Sequence, residues 1–77
     1  MKDLSPQMIA GKVLRKLIAD NYSSQEEFSY DFGLEIRTVS RYINNGINKI
    51  DTIQQLAVFF QVDFAYFFAI ENTDLNS

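Results

Sequence analysis

Two arginines four positions apart, Arg37 and Arg41, are the residues of this sequence whose type and spacing best fit a chemical role. Residues four apart lie on one face of an α-helix, so both guanidinium groups would project in the same direction. Residues 36–49 contain no acid that could pair with them. Because a guanidinium group donates hydrogen bonds in a planar fork that fits phosphate oxygens and the O6 and N7 atoms of guanine, the pair indicates contact with a nucleic acid.

Further polar side chains accompany this pair. Thr38, Ser40 and Asn44 lie on the same predicted helix and can hydrogen-bond to base edges or to the sugar-phosphate backbone. Gln25 begins the preceding predicted helix, where its amide could reach a phosphate near the positive end of the helix dipole. These residues extend the candidate binding surface beyond the two arginines.

The distribution of charge is more informative than its sum. The net charge of −3 argues against a nucleic-acid partner, since nucleic-acid-binding domains usually present a basic patch. Residues 26–35 and 71–77, however, hold six of the ten acids, and residues 12–16 and 37–49 hold six of the seven bases. The stretch that carries the arginine pair is therefore basic within an acidic chain.

Catalysis and metal binding have few candidate residues. The chain has no histidine and no cysteine, which removes the usual general base, thiolate nucleophiles, disulfides and the common zinc ligands. Glu26, Glu27 and Asp31 are the best carboxylate candidates, but they read as helix-surface acids without the geometry of a metal site. We expect no enzymatic activity, no metal and no cofactor.

Five helices and no β-strand are predicted to position these side chains. Ser5-Pro6 has the pattern of an N-cap followed by proline in the first turn, and apolar residues then repeat at helical spacing. Ser24 and Glu27 have the spacing of a capping box, in which each side chain accepts a hydrogen bond from the backbone N–H of the other. The predicted helices cover about residues 6–20, 24–32, 36–44, 51–60 and 63–70.

Glycine, asparagine and aspartate mark the predicted helix ends. Gly33 provides a left-handed position after the second helix, and the run from Asn44 to Gly46 closes the third. Asp51 and Asp63 are the predicted caps of the fourth and fifth helices. The aromatic-rich residues 59–70 also suit a strand, but their apolar positions do not alternate, which favours a helix.

The length allows one domain, which we place at residues 1–70, followed by a flexible polar tail at residues 71–77. No apolar run approaches the roughly 20 residues that cross a bilayer, and the N-terminus lacks the apolar core of a signal peptide. We therefore expect a cytoplasmic protein with no membrane partner.

The motifs resemble those of the lambda repressor and Cro (XRE-type) helix-turn-helix family, which binds DNA in phages and bacteria. The resemblance covers about residues 11–68 and implies a compact five-helix all-α fold, with a helix-turn-helix at about residues 24–44 whose second helix enters the major groove. The matching residues are Gly11, Leu14, Leu17, Ser24–Phe28, Gly33-Leu34, Thr38–Arg41, Ile53–Ala57 and Phe60–Val62.

The resemblance also implies which residues approach DNA. Asn44 takes a position that contacts the DNA backbone, and Asn48 and Lys49 lie in the loop that approaches DNA after the recognition helix. Positions that touch phosphates or bases are occupied by Gln25, Ile36, Arg37, Ser40 and Arg41. The full set of predicted DNA-binding residues is Gln25, Ile36, Arg37, Thr38, Ser40, Arg41, Asn44, Asn48 and Lys49.

Several residues depart from the family pattern. Ile36 replaces a polar residue, so its contact would be to a thymine methyl group. Glu35 replaces a small hydroxylic cap and would repel phosphate unless it is turned away, and Asn45 is an extra residue before the glycine. Ile18 and Ile43 stand where many relatives have a partly buried ion pair, and we expect these two side chains to touch.

The C-terminal aromatic residues are too many to be buried in a domain of this size. We expect Phe64 and Phe67 to point into the core and the other apolar residues to form an exposed patch. Because helix-turn-helix proteins commonly bind pseudo-palindromic operators as two-fold dimers, this patch is the predicted homodimer interface. Its residues are Phe59, Tyr66, Phe68 and Ile70.

Three functions remain open. The first is a sequence-specific transcriptional regulator, a repressor that occludes a promoter as a dimer on double-stranded DNA. If the chain is complete, it would be controlled through its concentration, a partner protein or proteolysis, and if it is a fragment, a C-terminal domain could supply sensing. The second is the antitoxin of a toxin–antitoxin pair, which would bind its own operator with the same fold and also bind a toxin. The third is a protein–protein interaction module that has lost DNA binding, which the acidic composition and Glu35 favour.

Overall fold

Four α-helices and two short 3₁₀ helices make up the computed structural model of the chain, which describes residues 5–73. No β-strand occurs in this range. The predicted all-α class is therefore confirmed, whereas the prediction of a fifth α-helix is wrong. The α-helices are α1 (Pro6–Asn21), α2 (Gln25–Phe32), α3 (Ile36–Asn45) and α4 (Ile50–Phe60), and the 3₁₀ helices are Phe64–Phe68 and Ile70–Asn72.

The start of α1 follows the predicted capping pattern. The Ser5 hydroxyl accepts a hydrogen bond from the Met8 backbone N–H at 3.2 Å, and Pro6 occupies the first turn, where no intrahelical donor is needed. Apolar residues that recur every three or four positions form one side of the core. The buried residues of α1 are Ala10, Gly11, Val13, Leu14, Leu17 and Ile18.

The capping of α2 differs in one respect from the predicted capping box. The Ser24 hydroxyl accepts from the Glu27 backbone N–H at 3.2 Å, as predicted. The Glu27 carboxylate, however, accepts from Ser23 rather than from Ser24, with one oxygen 3.1 Å from the Ser23 backbone nitrogen and 2.7 Å from its hydroxyl oxygen. Ser23 offers the carboxylate two donors, its backbone N–H and its hydroxyl, whereas Ser24 in a capping box would offer only its backbone N–H.

The turn between α2 and α3 depends on Gly33. Its φ of 91° and ψ of 26° place it in the left-handed region, which glycine adopts without the steric cost of a Cβ atom. The N–H groups of Gly33 and Leu34 both donate to the Ser29 carbonyl, at 2.9 and 3.0 Å, and Leu34 then packs against the core. Residues 25–45 thus form two short, mutually packed helices joined by a tight turn.

A close approach of α1 to α3 explains why residue 11 is glycine. A Cβ atom on Gly11 would overlap the Tyr42 backbone carbonyl oxygen. The chain after α3 also approaches α1 closely, since a Cβ atom on Gly46 would lie 2.9 Å from the Gln7 carbonyl. The same carbonyl accepts a hydrogen bond from the Ile47 N–H at 3.0 Å. The position of α3 is therefore set by backbone contact with α1.

Neither predicted aspartate cap forms. α4 begins at Ile50, so Asp51 lies in its first turn, and Lys49 takes the N-cap position without a side-chain hydrogen bond. Asp63 does precede the first 3₁₀ helix, but its side chain accepts no hydrogen bond from it. The start of α4 was predicted to within one residue, but Asp51 does not cap it. An acid anywhere in the first turn interacts favourably with the helix dipole, so Asp51 marks the start of α4 without being its N-cap.

The segment after α4 forms 3₁₀ turns instead of the predicted fifth α-helix. The Tyr66 N–H donates to the Asp63 carbonyl at 2.9 Å, a bond of the three-residue type, and Ala69 is extended. Hydrogen bonds between residues three apart hold this segment, and the extended Ala69 divides it into two short 3₁₀ helices. Phe67 is fully buried as predicted, whereas Phe64, also predicted to point inward, is 37% exposed.

The predicted start of the flexible tail at residue 71 is displaced as well. The Asn72 side-chain amide donates to the Tyr66 carbonyl at 2.9 Å, and the buried Thr73 hydroxyl donates to the Ile70 carbonyl at 2.7 Å. Residues 71–73 therefore belong to the folded domain, and the remainder of the predicted tail, residues 74–77, lies outside the described residues.

The core joins all of these elements. Phe28 of α2, Val39 of α3, Leu56 of α4 and Phe67 of the first 3₁₀ helix are fully buried in one cluster with the apolar face of α1. Ile18 and Ile43 lie in the same cluster, and their direct contact stays a prediction. Among residues 5–73, no helix combines the length and the apolar character that crossing a membrane requires.

Candidate nucleic-acid interface

One face of α3 is buried and the opposite face presents the arginine pair. Val39 and Ile43 lie in the core, while Arg37, Arg41 and Asn44 are exposed. Neither arginine side chain forms an ion pair or a hydrogen bond with any of residues 5–73. Two unpaired guanidinium groups on one helix face create a local positive potential that an anionic partner would neutralise.

The end of α3 and the loop before α4 bring three more polar residues beside Arg41. Asn45, Asn48 and Lys49 line an open hollow of about 290 Å³ together with Arg41, Tyr42 and Gly46. The three polar residues are exposed. The predicted loop residues, Asn48 and Lys49, therefore lie next to Arg41. Asn45, which was predicted only to be an extra residue before the glycine, lines the same hollow.

The remaining α3 residues of the predicted set flank the exposed face. Thr38 and Ser40 are half-buried, so their hydroxyls reach less far into solvent than the arginines do. Ile36, the first residue of α3, is 40% exposed. A partner must approach α3 closely to touch these three side chains.

Gln25, predicted to contact a phosphate, is the first residue of α2 and is half-buried. It lines a hollow of about 300 Å³ with Arg15 and Ser24, and this hollow shares no residue with the one beside Arg41. Arg15 was not among the predicted binding residues. The packing of α1 on α2 brings it beside the start of α2, a tertiary contact for which the local sequence carries no signal.

Glu35 occupies the N-cap position of α3 without capping it. Its backbone carbonyl accepts from the N–H groups of Thr38 and Val39 at 3.0 and 3.1 Å, but its side chain makes no hydrogen bond to the helix. The exposed carboxylate pairs with neither arginine. An unpaired acid therefore stands at the start of α3, beside Ile36.

An acidic surface is formed by α2 together with Tyr22. Glu26, Glu27, Tyr30 and Asp31 line an open hollow of about 660 Å³ with Tyr22, and Tyr30 is 90% exposed. The Tyr22 hydroxyl donates to Asp31 at 3.0 Å. Two effects raise the pKa of Tyr22: partial burial is the larger, and this hydrogen bond is the second. This acidic surface shares no residue with the hollow beside Arg41.

The predicted dimer patch is only partly exposed. Phe59 and Ile70 are 37% and 47% exposed, as expected of an interface, but Tyr66 and Phe68 are half-buried and pack against the core. Phe67 is the one 3₁₀ residue that is fully buried, and the rings of Tyr66 and Phe68 pack against the core beside it. The core therefore covers part of two rings that were predicted to be exposed.

The four predicted interface residues also have different neighbours. Phe59 contacts the rings of Phe28, Phe32 and Phe60. Phe68 instead packs edge-on against Phe64 and lines a cavity of about 130 Å³ between the start of α1 and the start of α4. Exposed apolar side chains that the prediction omitted are Tyr30, Ile50, Val58 and Phe64.

Known proteins provide no assignment for this chain. No protein-family model, no curated protein and no solved structure matches it.

Proposed function

We propose that the chain is a sequence-specific DNA-binding regulator of transcription that inserts α3 into the major groove. One observation carries the proposal: α3 directs two unpaired arginines to solvent on one face while its opposite face is buried. Guanidinium groups in this arrangement can bind guanine edges and phosphates bidentately. The sequence resemblance to the lambda repressor and Cro family, which recurs with the right spacing across four helices, supports the same role.

In this proposal the base and backbone contacts are divided along α3. Arg37 and Arg41 bind base edges or phosphates in the groove, and Thr38 and Ser40 come within reach of the DNA once α3 is inserted. The end of α3 and the following loop contact phosphates, because they line or adjoin the hollow beside Arg41. The phosphate-contacting residues proposed in this region are Asn44, Asn48 and Lys49, and Gln25 is proposed to contact a phosphate from the start of α2.

The regulator acts as a homodimer that represses by covering a pseudo-palindromic site. Two-fold dimers place two recognition helices about 34 Å apart, one helical turn of DNA. Phe59 and Ile70 are the exposed members of the proposed interface, and Tyr66 and Phe68 contribute only their accessible edges.

The acidic surface of α2 favours a second candidate function, that of an antitoxin. Three carboxylates and the 90% exposed Tyr30 suit a basic protein partner, which would bind while α3 remains on the operator. Stable co-purification with the product of an adjacent gene would support this function over a free-standing regulator. A protein that binds a partner and no DNA would instead be an interaction module.

Selection of binding sites from random double-stranded DNA tests the proposal. The wild-type protein should enrich one motif, and its affinity for that motif should fall steeply between about 50 and 200 mM salt as phosphate contacts are screened. Arg37→Ala and Arg41→Ala should each weaken binding, by about 1–3 kcal/mol where the arginine holds a guanine, and at least one should relax the motif.

Lys16→Ala is the matched control for these variants. It also removes one positive charge, but from α1, where Lys16 pairs with Asp20 at 3.1 Å. It should leave the motif and the affinity unchanged. Enrichment of no sequence, or equal losses of affinity in Lys16→Ala and Arg37→Ala, would overturn the proposal.

A further inference from the structure

We infer that Glu35 and Ile36 determine sequence specificity by directing the start of α3 to a cytosine and a thymine in the major groove. The inference rests on the proposed DNA binding by α3 and concerns which bases that surface accepts. It comes from two adjacent side chains whose chemistry differs from that of the arginine, asparagine and hydroxyl groups on the rest of the exposed face.

Ile36 is an aliphatic residue that the core does not require. It is 40% exposed and lies outside the core cluster, whereas Val39 and Ile43 of the same helix are buried in it. An aliphatic side chain at the start of a groove-reading helix has no hydrogen bond to make. Thymine alone among the four bases presents an apolar group in the major groove, its C5-methyl, so thymine is the base that Ile36 would bury.

Glu35 carries a carboxylate with no partner among residues 5–73. Its side chain does not cap α3, and its backbone is held at the first turn by the N–H groups of Thr38 and Val39. A carboxylate accepts hydrogen bonds and donates none, so it is repelled by the O6 and N7 acceptors of guanine and by the N7 of adenine. Cytosine, which presents the N4 amino donor, is the base that it fits.

The same carboxylate disfavours other sequences. Where no cytosine amino group meets Glu35, its carboxylate faces groove acceptors and phosphates. The repulsion between the carboxylate and these groups weakens binding. Glu35 therefore acts through repulsion as well as attraction, as interfaces that discriminate between similar partners commonly do.

Replacement of single thymines by uracil in the selected duplex tests Ile36, because uracil lacks only the methyl group. One such replacement should weaken wild-type binding about fourfold, the value of one buried methyl group. The same replacement should leave the affinity of Ile36→Ala unchanged. Ile50→Ala is the matched control: it removes an isoleucine that is 60% exposed outside α3, and it should remain as sensitive to uracil as the wild type.

Glu35→Gln tests the cytosine contact. Glutamine can bind the N6 and N7 atoms of adenine bidentately, so binding-site selection with Glu35→Gln should change one position of the motif from cytosine to adenine. Binding to unrelated DNA should also strengthen. Since the Glu35 side chain caps nothing, the variant loses only the interaction of its charge with the helix dipole and should unfold within a few degrees of the wild-type temperature.

The outcomes separate the inference from the function on which it rests. Wild-type binding that is insensitive to uracil at every thymine would overturn the Ile36 contact, and an unchanged motif in Glu35→Gln would overturn the Glu35 contact. DNA binding by α3 would stand in both cases. A wild type that selects no motif would instead overturn the proposed function, and the inference with it.

Discussion

Gln61 ends α4 in a left-handed backbone conformation that is costly for any residue except glycine. Its φ is 61° and its ψ 44°, and among residues 5–73 no other non-glycine residue has a positive φ. A Cβ atom in this region costs roughly 1–2 kcal/mol. Glycine would avoid that cost and lose part of the gain through its greater freedom in the unfolded chain.

Gln61→Gly should therefore raise the free energy of unfolding by about 0.5–1 kcal/mol, measured by urea denaturation. Gly33→Ala is the complementary variant, since a Cβ atom on Gly33 meets no atom within 4 Å and the expected loss of about 1 kcal/mol reports backbone strain alone. A less stable Gln61→Gly would show that the Gln61 side chain, rather than its backbone, secures the end of α4.

The interaction between Ser23 and Glu27 sets a pH dependence. The Ser23 hydroxyl, and after it the Ser23 backbone N–H, donate to the carboxylate and lower the pKa of Glu27. The unfolded chain therefore takes up this proton at a higher pH than the folded protein does. The resulting stabilisation is complete above the unfolded pKa of about 4.3 and is lost as the pH falls through the lower folded pKa.

Glu27→Gln should remove this part of the acid sensitivity. In urea denaturation at stepped pH, the wild type should lose more stability than Glu27→Gln between about pH 5 and pH 3, and the difference should be constant above that range. Ser23→Ala should lie between the wild type and Glu27→Gln, because it removes the hydroxyl donor and keeps the backbone N–H donor. Wild-type and Glu27→Gln curves that run parallel throughout would contradict the assigned interaction.

At the scale of helices, the contact between α1 and α3 is the feature that positions the candidate interface. Gly11→Ala should favour α1 by about 1 kcal/mol through helix propensity. Its Cβ atom would nevertheless overlap the Tyr42 carbonyl oxygen, which belongs to backbone and cannot rotate away, so we expect a net destabilisation of about 2 kcal/mol. Thermal and urea unfolding measure the loss.

Ala19→Gly is the control for the propensity part of that prediction. Ala19 is on the exposed side of α1, so the change should cost about 1 kcal/mol without altering the contact with α3. If Gly11→Ala were more stable than the wild type, α1 and α3 would have to separate at little cost, and α3 would not be held rigidly.

Helix ends were predictable where the signal is local. Ser5-Pro6, Ser24 and Gly33 act on their own turns, and the bounds of the four α-helices were predicted to within one residue. The segment after α4 could not be predicted in the same way, because its 3₁₀ form depends on which ring enters the core. Phe67 is buried and Phe64 exposed through packing with distant helices.

The candidate site divides along the same line. Arg37 and Arg41 share an exposed face because helical spacing alone decides it, and Val39 and Ile43 are buried for the same reason. The proximity of Asn45 to Arg41 follows from the same spacing, since both lie in α3 four positions apart, whereas the proximity of Arg15 to Gln25 follows from how α1 docks on α2. Spacing within one helix carries no information on such contacts.

At the scale of the whole molecule, the proposed homodimer predicts self-association through the exposed apolar residues. The wild type should sediment as a dimer at high micromolar concentration, and Phe59→Asp and Ile70→Asp should shift it to the monomer, since each would bury a charge in the interface. Ile70→Asp is the cleaner of the two variants, because Phe59 contacts the rings of Phe28, Phe32 and Phe60. Phe68 is less suitable for substitution because its ring packs against the core.

Tyr30→Asp controls for the introduction of a charge at an exposed aromatic position. Tyr30 is 90% exposed and lies on the acidic surface of α2, outside the proposed interface, so this variant should remain dimeric. Monomeric wild-type protein throughout the concentration range would exclude the proposed dimer.

The central claim is that the arginine face of α3, and not the acidic surface of α2, meets DNA. An NMR titration of isotope-labelled protein with the selected duplex, read from backbone amide shifts, tests this most directly. We predict the largest shifts at Ile36–Arg41 and at Asn48 and Lys49, with little change at Tyr30 and Asp31. Shifts that are largest on the acidic surface, or absent throughout the protein, would contradict the claim.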